Sequence, residues 1–118
     1  MLKGKLCWLV AVLALTACGP DTIFLRQGFD TPAHHVSNGK TLIERNKFID
    51  ACREFERAKE LDPEYAEAYV GLGIAYAHRG DLEKGMAMMK QADAMATSDV
   101  ERDSVQRGFE QLRRMAQE

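Results

Sequence analysis

The stretch "AEAYVGLGIAYAHRGD", residues 66–81, decides how this chain folds. Its Ala, Glu, Tyr, Leu and Ile suit an amphipathic helix, with Tyr69, Leu72 and Tyr76 three and four residues apart on one face. Gly71 and Gly73 sit in its middle, and each costs about 0.5–1 kcal/mol of helix stability against alanine. A helix that keeps two glycines where no turn is needed has a reason outside itself.

The reason is a period. "ACREFERAKELDP" (51–63) aligns with "GMAMMKQADAMAT" (85–97), placing Ala51 with Gly85, Phe55 with Met89, Ala58 with Ala92 and Leu61 with Met95. Upstream, Gly39 pairs with Gly73 and Leu42 with Tyr76. Each pair is 34 residues apart, the length of a tetratricopeptide (TPR) repeat. Tyr69-x-x-Leu72-Gly73-x-x-Tyr76 resembles that family's aromatic-x-x-Leu-Gly-x-x-Tyr pattern. Gly80-Asp81-Leu82 resembles its inter-helix turn, and Ala51-x-x-x-Phe55 with Leu61-Asp62-Pro63 resembles the second half of a preceding repeat. The resemblance implies two repeats, about 32–65 and 66–99. Their packing residues would be Gly39, Leu42, Ala51, Phe55, Ala58, Pro63, Tyr69, Leu72, Gly73, Tyr76 and Ala92. There are departures. Gly85 and Met89 replace the family's Ala and aromatic, no proline closes the second repeat, and "HHVSNGKTLIER" keeps little beyond Gly39 and Leu42. On this reading Gly73 admits the partner helix closely. Gly71 has no packing role and should be an exposed residue that slightly weakens the helix.

End signals place the helices near 35–45, 48–61, 63–79, 82–96 and 99–116. Asp62 can cap a helix whose first residue is Pro63. His78 and Arg79 fall in that helix's last turn and Gly80 offers a left-handed stop. Asp81 can cap the next helix, and Ser98-x-x-Glu101 is a capping box opening the last one. Along the last helix Val105, Phe109, Leu112 and Ala116 form an apolar stripe. The fold class is all-α: a short TPR-like solenoid of about five antiparallel helices over 34–118. Repeat arrays need about three units to bury a continuous core. With two, the helix over 99–116 must cap the open end, or a homodimer must share a surface.

The N-terminus carries a different signal. "MLKGKLCWLVAVLALTAC" has Lys3 and Lys5, an uncharged apolar run from Leu6 to Leu15, then small residues before Cys18. That order is the layout of a secretory signal peptide over 1–17. The run falls short of the ~20 apolar residues that span a bilayer core of ~30 Å. Leu15-Thr16-Ala17-Cys18 resembles the lipobox of bacterial lipoproteins. The resemblance implies cleavage before Cys18, a thioether-linked diacylglycerol on it, and acylation (palmitate or a similar chain) of its new amino group. Several acyl chains anchor stably where one holds only marginally. Gly19, rather than an aspartate, follows the cysteine. In Gram-negative lipoproteins that leans toward the outer membrane, facing the periplasm. Residues 18–33 read as a lipidated tether, with Ile23, Phe24, Leu25 and Phe29 apolar for a linker.

The chain's 118 residues allow one domain, and its formal charge of -2 carries no basic footprint for nucleic acid. Of three cysteines, Cys7 leaves with the leader and Cys18 is blocked, so Cys52 is the one free thiol, expected packed and inert. His34, His35 and His78 lack metal-ligand spacing and read as solvated. No nucleophile–base constellation and no phosphate loop stand out, so no catalytic residue, no metal and no cofactor beyond the covalent lipid are expected. The chain reads as a non-enzyme. In the TPR family the first helix of each repeat lines a concave groove. The resemblance puts Lys40, Ile43 and Glu44 from repeat one and Val70, Ile74, Ala77 and His78 from repeat two in that groove. It looks apolar and suited to a partner's amphipathic helix or apolar strand. The expected function is a membrane-anchored adaptor in the bacterial envelope that binds a protein partner. The alternatives are a pilotin-like assembly factor for secretin or pilus components, and an accessory subunit of an envelope enzyme.

Overall fold

The computed structural model describes Gly28 and residues 30–118. The leader, Cys18 and most of the tether, with Ile23, Phe24, Leu25 and Phe29, lie outside the described residues. Five helices follow in order: α1 (Pro32–Glu44), α2 (Phe48–Leu61), α3 (Ala66–His78), α4 (Leu82–Met95) and α5 (Asp99–Gln117). The links are a few residues long, which makes neighbouring helices antiparallel. α3 is central and touches the other four helices, whereas α1 and α5 do not touch each other. The described chain is therefore all-helical, two hairpins of helices and a closing helix, as a short TPR-like array requires.

Local chemistry sets the helix ends. Thr31 Oγ1 accepts from the His34 amide at 3.2 Å and Pro32 stands at the first helical position, so α1 starts inside the segment expected to be tether. Asn46 takes a left-handed backbone (φ 58°) between α1 and α2, a conformation asparagine tolerates. Gly80 (φ 88°) ends the turn after α3, and Asp81 caps α4 through the Lys84 amide at 3.0 Å. Ser98 and Glu101 form the capping box of α5, each side chain accepting the other's backbone N–H, at 3.2 and 3.0 Å.

The start of α3 differs from expectation. Asp62 does not cap a helix led by Pro63. Its carboxylate accepts from the Glu64 amide at 3.0 Å, two residues on, which makes a turn, and α3 begins only at Ala66. Pro63 is exposed and acts through its carbonyl, which accepts from the Tyr69 hydroxyl at 2.6 Å.

The core runs through all five helices. Ala51, Phe55, Ala58, Leu72, Met89, Ala92, Val105 and Leu112 are fully buried, with Tyr69 and Tyr76 nearly so and Leu42 half-buried against them. The glycines explain the density. Gly73 of α3 and Gly85 of α4 face each other, and a Cβ on Gly73 would lie 2.9 Å from the Gly85 carbonyl oxygen. Gly71 is buried, not exposed: a Cβ there would overlap the Phe55 ring. The same ring is met from the other side by Gly39, whose Cβ would lie 2.6 Å from Phe55 Cζ. Both central glycines of the opening stretch thus admit a neighbour, one the α4 backbone and the other the α2 aromatic.

On α5 the buried line is Val105, Gly108 and Leu112, flanked by half-buried Phe109 and Met115; Ala116 is exposed. Cys52 is free and buried. No helix among the described residues is long and apolar enough to cross a membrane.

Candidate functional site: a hollow between α1, α3 and α5

Because α1 and α5 each pack on α3 but not on each other, a hollow opens between them with α3 as its floor. At one end it is lined by Ala33, Val36, Ser37 and Lys40 of α1, Tyr65, Glu67 of α3, and Val100, Glu101, Ser104 and Arg107 of α5. At the other it is lined by Lys40, Glu67, Val70, Ile74, Ser104, Arg107, Gly108, Glu110, Gln111 and Arg114. The two parts hold about 590 and 550 Å³ and share Lys40, Glu67, Ser104 and Arg107, so they form one trough.

Its floor is apolar and its walls are charged. Val36 and Val70 are 5% exposed and Ile74 is half-buried. Lys40 Nζ bridges across to Glu67 Oε2 at 3.1 Å, and Arg107 pairs with Asp103 at 2.5 Å. Arg114 has no ion pair among the described residues. Val100 at the rim is 76% exposed. Glu101 accepts from the Ser98 and Thr97 backbone amides and from the Thr97 hydroxyl, and these bonds hold its carboxyl down to about 2. It is a fixed negative charge at the mouth of the trough.

Of the groove residues expected from sequence, Lys40, Val70 and Ile74 come together here. The others do not line it. Ile43 is half-buried against the core and Glu44 is exposed. Ala77 is buried toward α4, near Gly85. His78 leaves the concave side and stacks on Phe48, ring centroids 4.6 Å apart, at the turn between α1 and α2. The expectation of an apolar groove holds for the floor alone. Sequence reasoning missed the α5 wall: Ser104, Arg107, Gln111 and Arg114 recur at spacings of three and four, a helical face beside the buried line, whose Gly108 also borders the trough. A second hollow, about 450 Å³, lies by Asn46, Phe48, Ile49 and Arg79 at the α1–α2 turn.

His35 corrects another expectation. It is not simply solvated, since its ring bonds Glu54 and Asp30. No group of three or more His, Cys, Asp or Glu side chains among the described residues is placed to hold a metal ion.

Helix pairs stacked about a shared apolar layer, with a trough lined by the first helix of each pair and by the closing helix, define a helical-repeat binding domain in architecture. The comparison with known families agrees on the repeat: residues 39–80 match the family model described as TPR repeat. The match runs from Gly39 of α1 to Gly80 after α3, so the chain contains a TPR repeat centred on α2 and α3. No curated protein and no solved structure matches the chain.

Proposed function

We propose that this chain is a non-catalytic interaction scaffold. Its trough takes an extended or helical segment of a partner protein, and a lipidated Cys18 holds it at a bacterial envelope membrane. The observation that carries the first part is the continuous trough, whose apolar strip of Val70 and Ile74 on α3 with Val36 of α1 is flanked by charged side chains. An apolar floor supplies affinity to a row of apolar side chains, and the charged walls set direction and discrimination. TPR repeats generally serve protein–protein contact, which favours a scaffold over an enzyme. The second part rests on the order of Lys3 and Lys5, the apolar run and Leu15-Thr16-Ala17-Cys18. Gly19 after the cysteine favours the outer membrane, facing the periplasm, in a Gram-negative cell.

The test is crosslinking of the full-length protein in its native membrane, with Ile74→Glu and Cys18→Ser compared with the parent. Ile74→Glu should lose the crosslinked partner while staying folded and membrane-bound. Cys18→Ser should leave the membrane fraction. A partner retained by Ile74→Glu would refute the trough as the binding site, and a Cys18→Ser variant that fractionates as the parent does would refute the lipid anchor. Recovery of secretin components, or of an envelope hydrolase, would sort the scaffold into assembly factor or enzyme adaptor.

A further inference from the structure

His35 near the start of α1 stands between two carboxylates. Its Nδ1 is 2.8 Å from Glu54 Oε2 on α2, and its Nε2 is 2.9 Å from Asp30 Oδ1, before α1 begins. Ionised carboxylates only accept hydrogen bonds, and a neutral imidazole has one donor and one acceptor nitrogen. A neutral ring therefore satisfies one of these contacts and turns a lone pair toward the other carboxylate. Only the imidazolium donates to both. The ring side chain is 16% exposed, so water does little to relieve the mismatch.

The surroundings complete a tie between three pieces of chain. Arg57 of α2 donates to Asp30 at 2.6 and 3.2 Å and also bonds Glu60 at 3.2 Å. Asn38 of α1 donates to Glu54 Oε2 at 3.3 Å. The His34 ring lies edge-on, 6.0 Å from that of His35. From α3, the other helix packed on α1, the charged contact is Glu67 to Lys40, not to His35. We propose that His35, as the imidazolium, is a proton-operated clasp that, with Arg57, fastens the stretch preceding α1 to α2, and that loss of the proton loosens it, leaving Arg57 as the charged tie.

The charges agree in sign with that geometry. Burial of the ring disfavours its charged form, but the hydrogen bonds to Glu54 and Asp30 outweigh it, so the His35 pKa is raised above the ordinary 6.5. The Arg57 guanidinium, and then His35, hold the Asp30 carboxyl down to about 2. A raised histidine stabilises the closed form fully below its unfolded value and loses that contribution as pH rises through its folded value. A lowered aspartate contributes above its ordinary 3.8 and loses the contribution as pH falls through about 2. The clasp is thus tight in acid-to-neutral conditions and loosens on the alkaline side. It sits beside the α1 turn whose Ala33 and Val36 line one end of the trough. A partner bound there and the His35 proton would each change the other's affinity.

The experiment uses the full-length protein in detergent micelles. Ring nitrogen NMR should show both His35 nitrogens protonated at pH 6, with a pKa above the ordinary value of about 6.5. Glu54→Gln and Asp30→Asn should each lower it. The His35 amide donates to the Thr31 carbonyl at 3.1 Å. Its hydrogen-exchange protection, corrected for intrinsic pH dependence, should fall through the same titration. The drop should be about tenfold for each unit by which the clasp raises the pKa. In His35→Gln the step should vanish. A single neutral tautomer at pH 6, or protection flat across the parent's ring titration, would overturn the clasp. Both readouts come from the parent, so they decide the matter even if no variant accumulates.

Discussion

Phe55 lies between Gly39 of α1 and Gly71 of α3; its repeat counterpart Met89 lies between Gly73 of α3 and Gly108 of α5. Both are fully buried and both are gripped by two glycines on flanking helices. The first is a rigid ring that cannot yield. The second is an unbranched thioether that fills irregular gaps by rotating. A Cβ on Gly108 would crowd the far end of Met89, Sδ at 2.7 Å and Cε at 2.6 Å, and reach Val70 Cγ1 at an ordinary contact of 3.5 Å, whereas one on Gly71 would meet the body of the Phe55 ring. What the repeat preserves is the slot. How far that slot tolerates change depends on what fills it. The difference also accounts for the departures from the family pattern at residues 85 and 89. Gly85 lets α3 and α4 approach backbone to backbone, and a flexible Met89 threads the space left beside them.

The largest effect should come from removing one jaw of the Met89 grip. Truncation at Ser98 deletes α5, with fully buried Val105 and Leu112 and half-buried Phe109 and Met115. Each large side chain is worth about 1.5–3 kcal/mol when fully buried, against a total stability of ~5–15 kcal/mol for a small domain. The truncated chain should lose its cooperative melt in circular dichroism or fail to accumulate. A parent-like melt at matched concentration would mean that the Met89 layer needs no second jaw.

Next come the fillers and their slots. Phe55→Ala should cost about 3–5 kcal/mol and Met89→Leu less than about 1.5 kcal/mol. Gly71→Ala should destabilise, because overpacking at about 1–3 kcal/mol exceeds the gain in helix propensity of about 1 kcal/mol. Gly108→Ala should be near neutral, since the Met89 tip moves aside. Denaturant midpoints for the four variants check the ranking. Equal shifts for the two glycine variants would abolish the distinction between a rigid and a yielding layer.

The smallest effect concerns the α5 cap that holds the yielding layer in place. Ser98→Ala should cost about 0.5–2 kcal/mol. Glu101, held down to about 2, stabilises α5 above its ordinary 4.5 and stops doing so as pH falls through about 2. An acid titration of stability should therefore lose part of its slope between those values in Glu101→Gln.

Much of this fold was legible in the sequence because the same residue types recur 34 residues apart, and all four of Phe55, Met89, Ala58 and Ala92 proved buried. Gly71 escaped that logic for a physical reason. Its counterpart at the repeat distance is Val105, fully buried, while the glycine doing the equivalent job is Gly108, one helical turn further on. A period finds residues in register and misses those whose role has slid along the helix. The Asp62–Pro63 reading failed because an aspartate can bond an amide two residues on as readily as it caps a helix. In the trough, Lys40, Val70 and Ile74 followed from the repeat. The opposite wall did not, because the gap between α1 and α5 depends on how three helices cross on α3.

Cys52 packs on α2 beside Ala51 and three residues before Phe55, and it is 7% exposed. It is the one cysteine among the described residues, and it is free. That makes it a clock for the rigid half of the molecule. A thiol reagent reaches it only in the moments when α2 lifts from its neighbours, so the labelling rate under mild conditions counts those openings. The Met89 half has no such recorder. Slow labelling at Cys52 alongside fast amide exchange in α5 would show a molecule that loosens from its closing helix inward, keeping its aromatic layer shut until last.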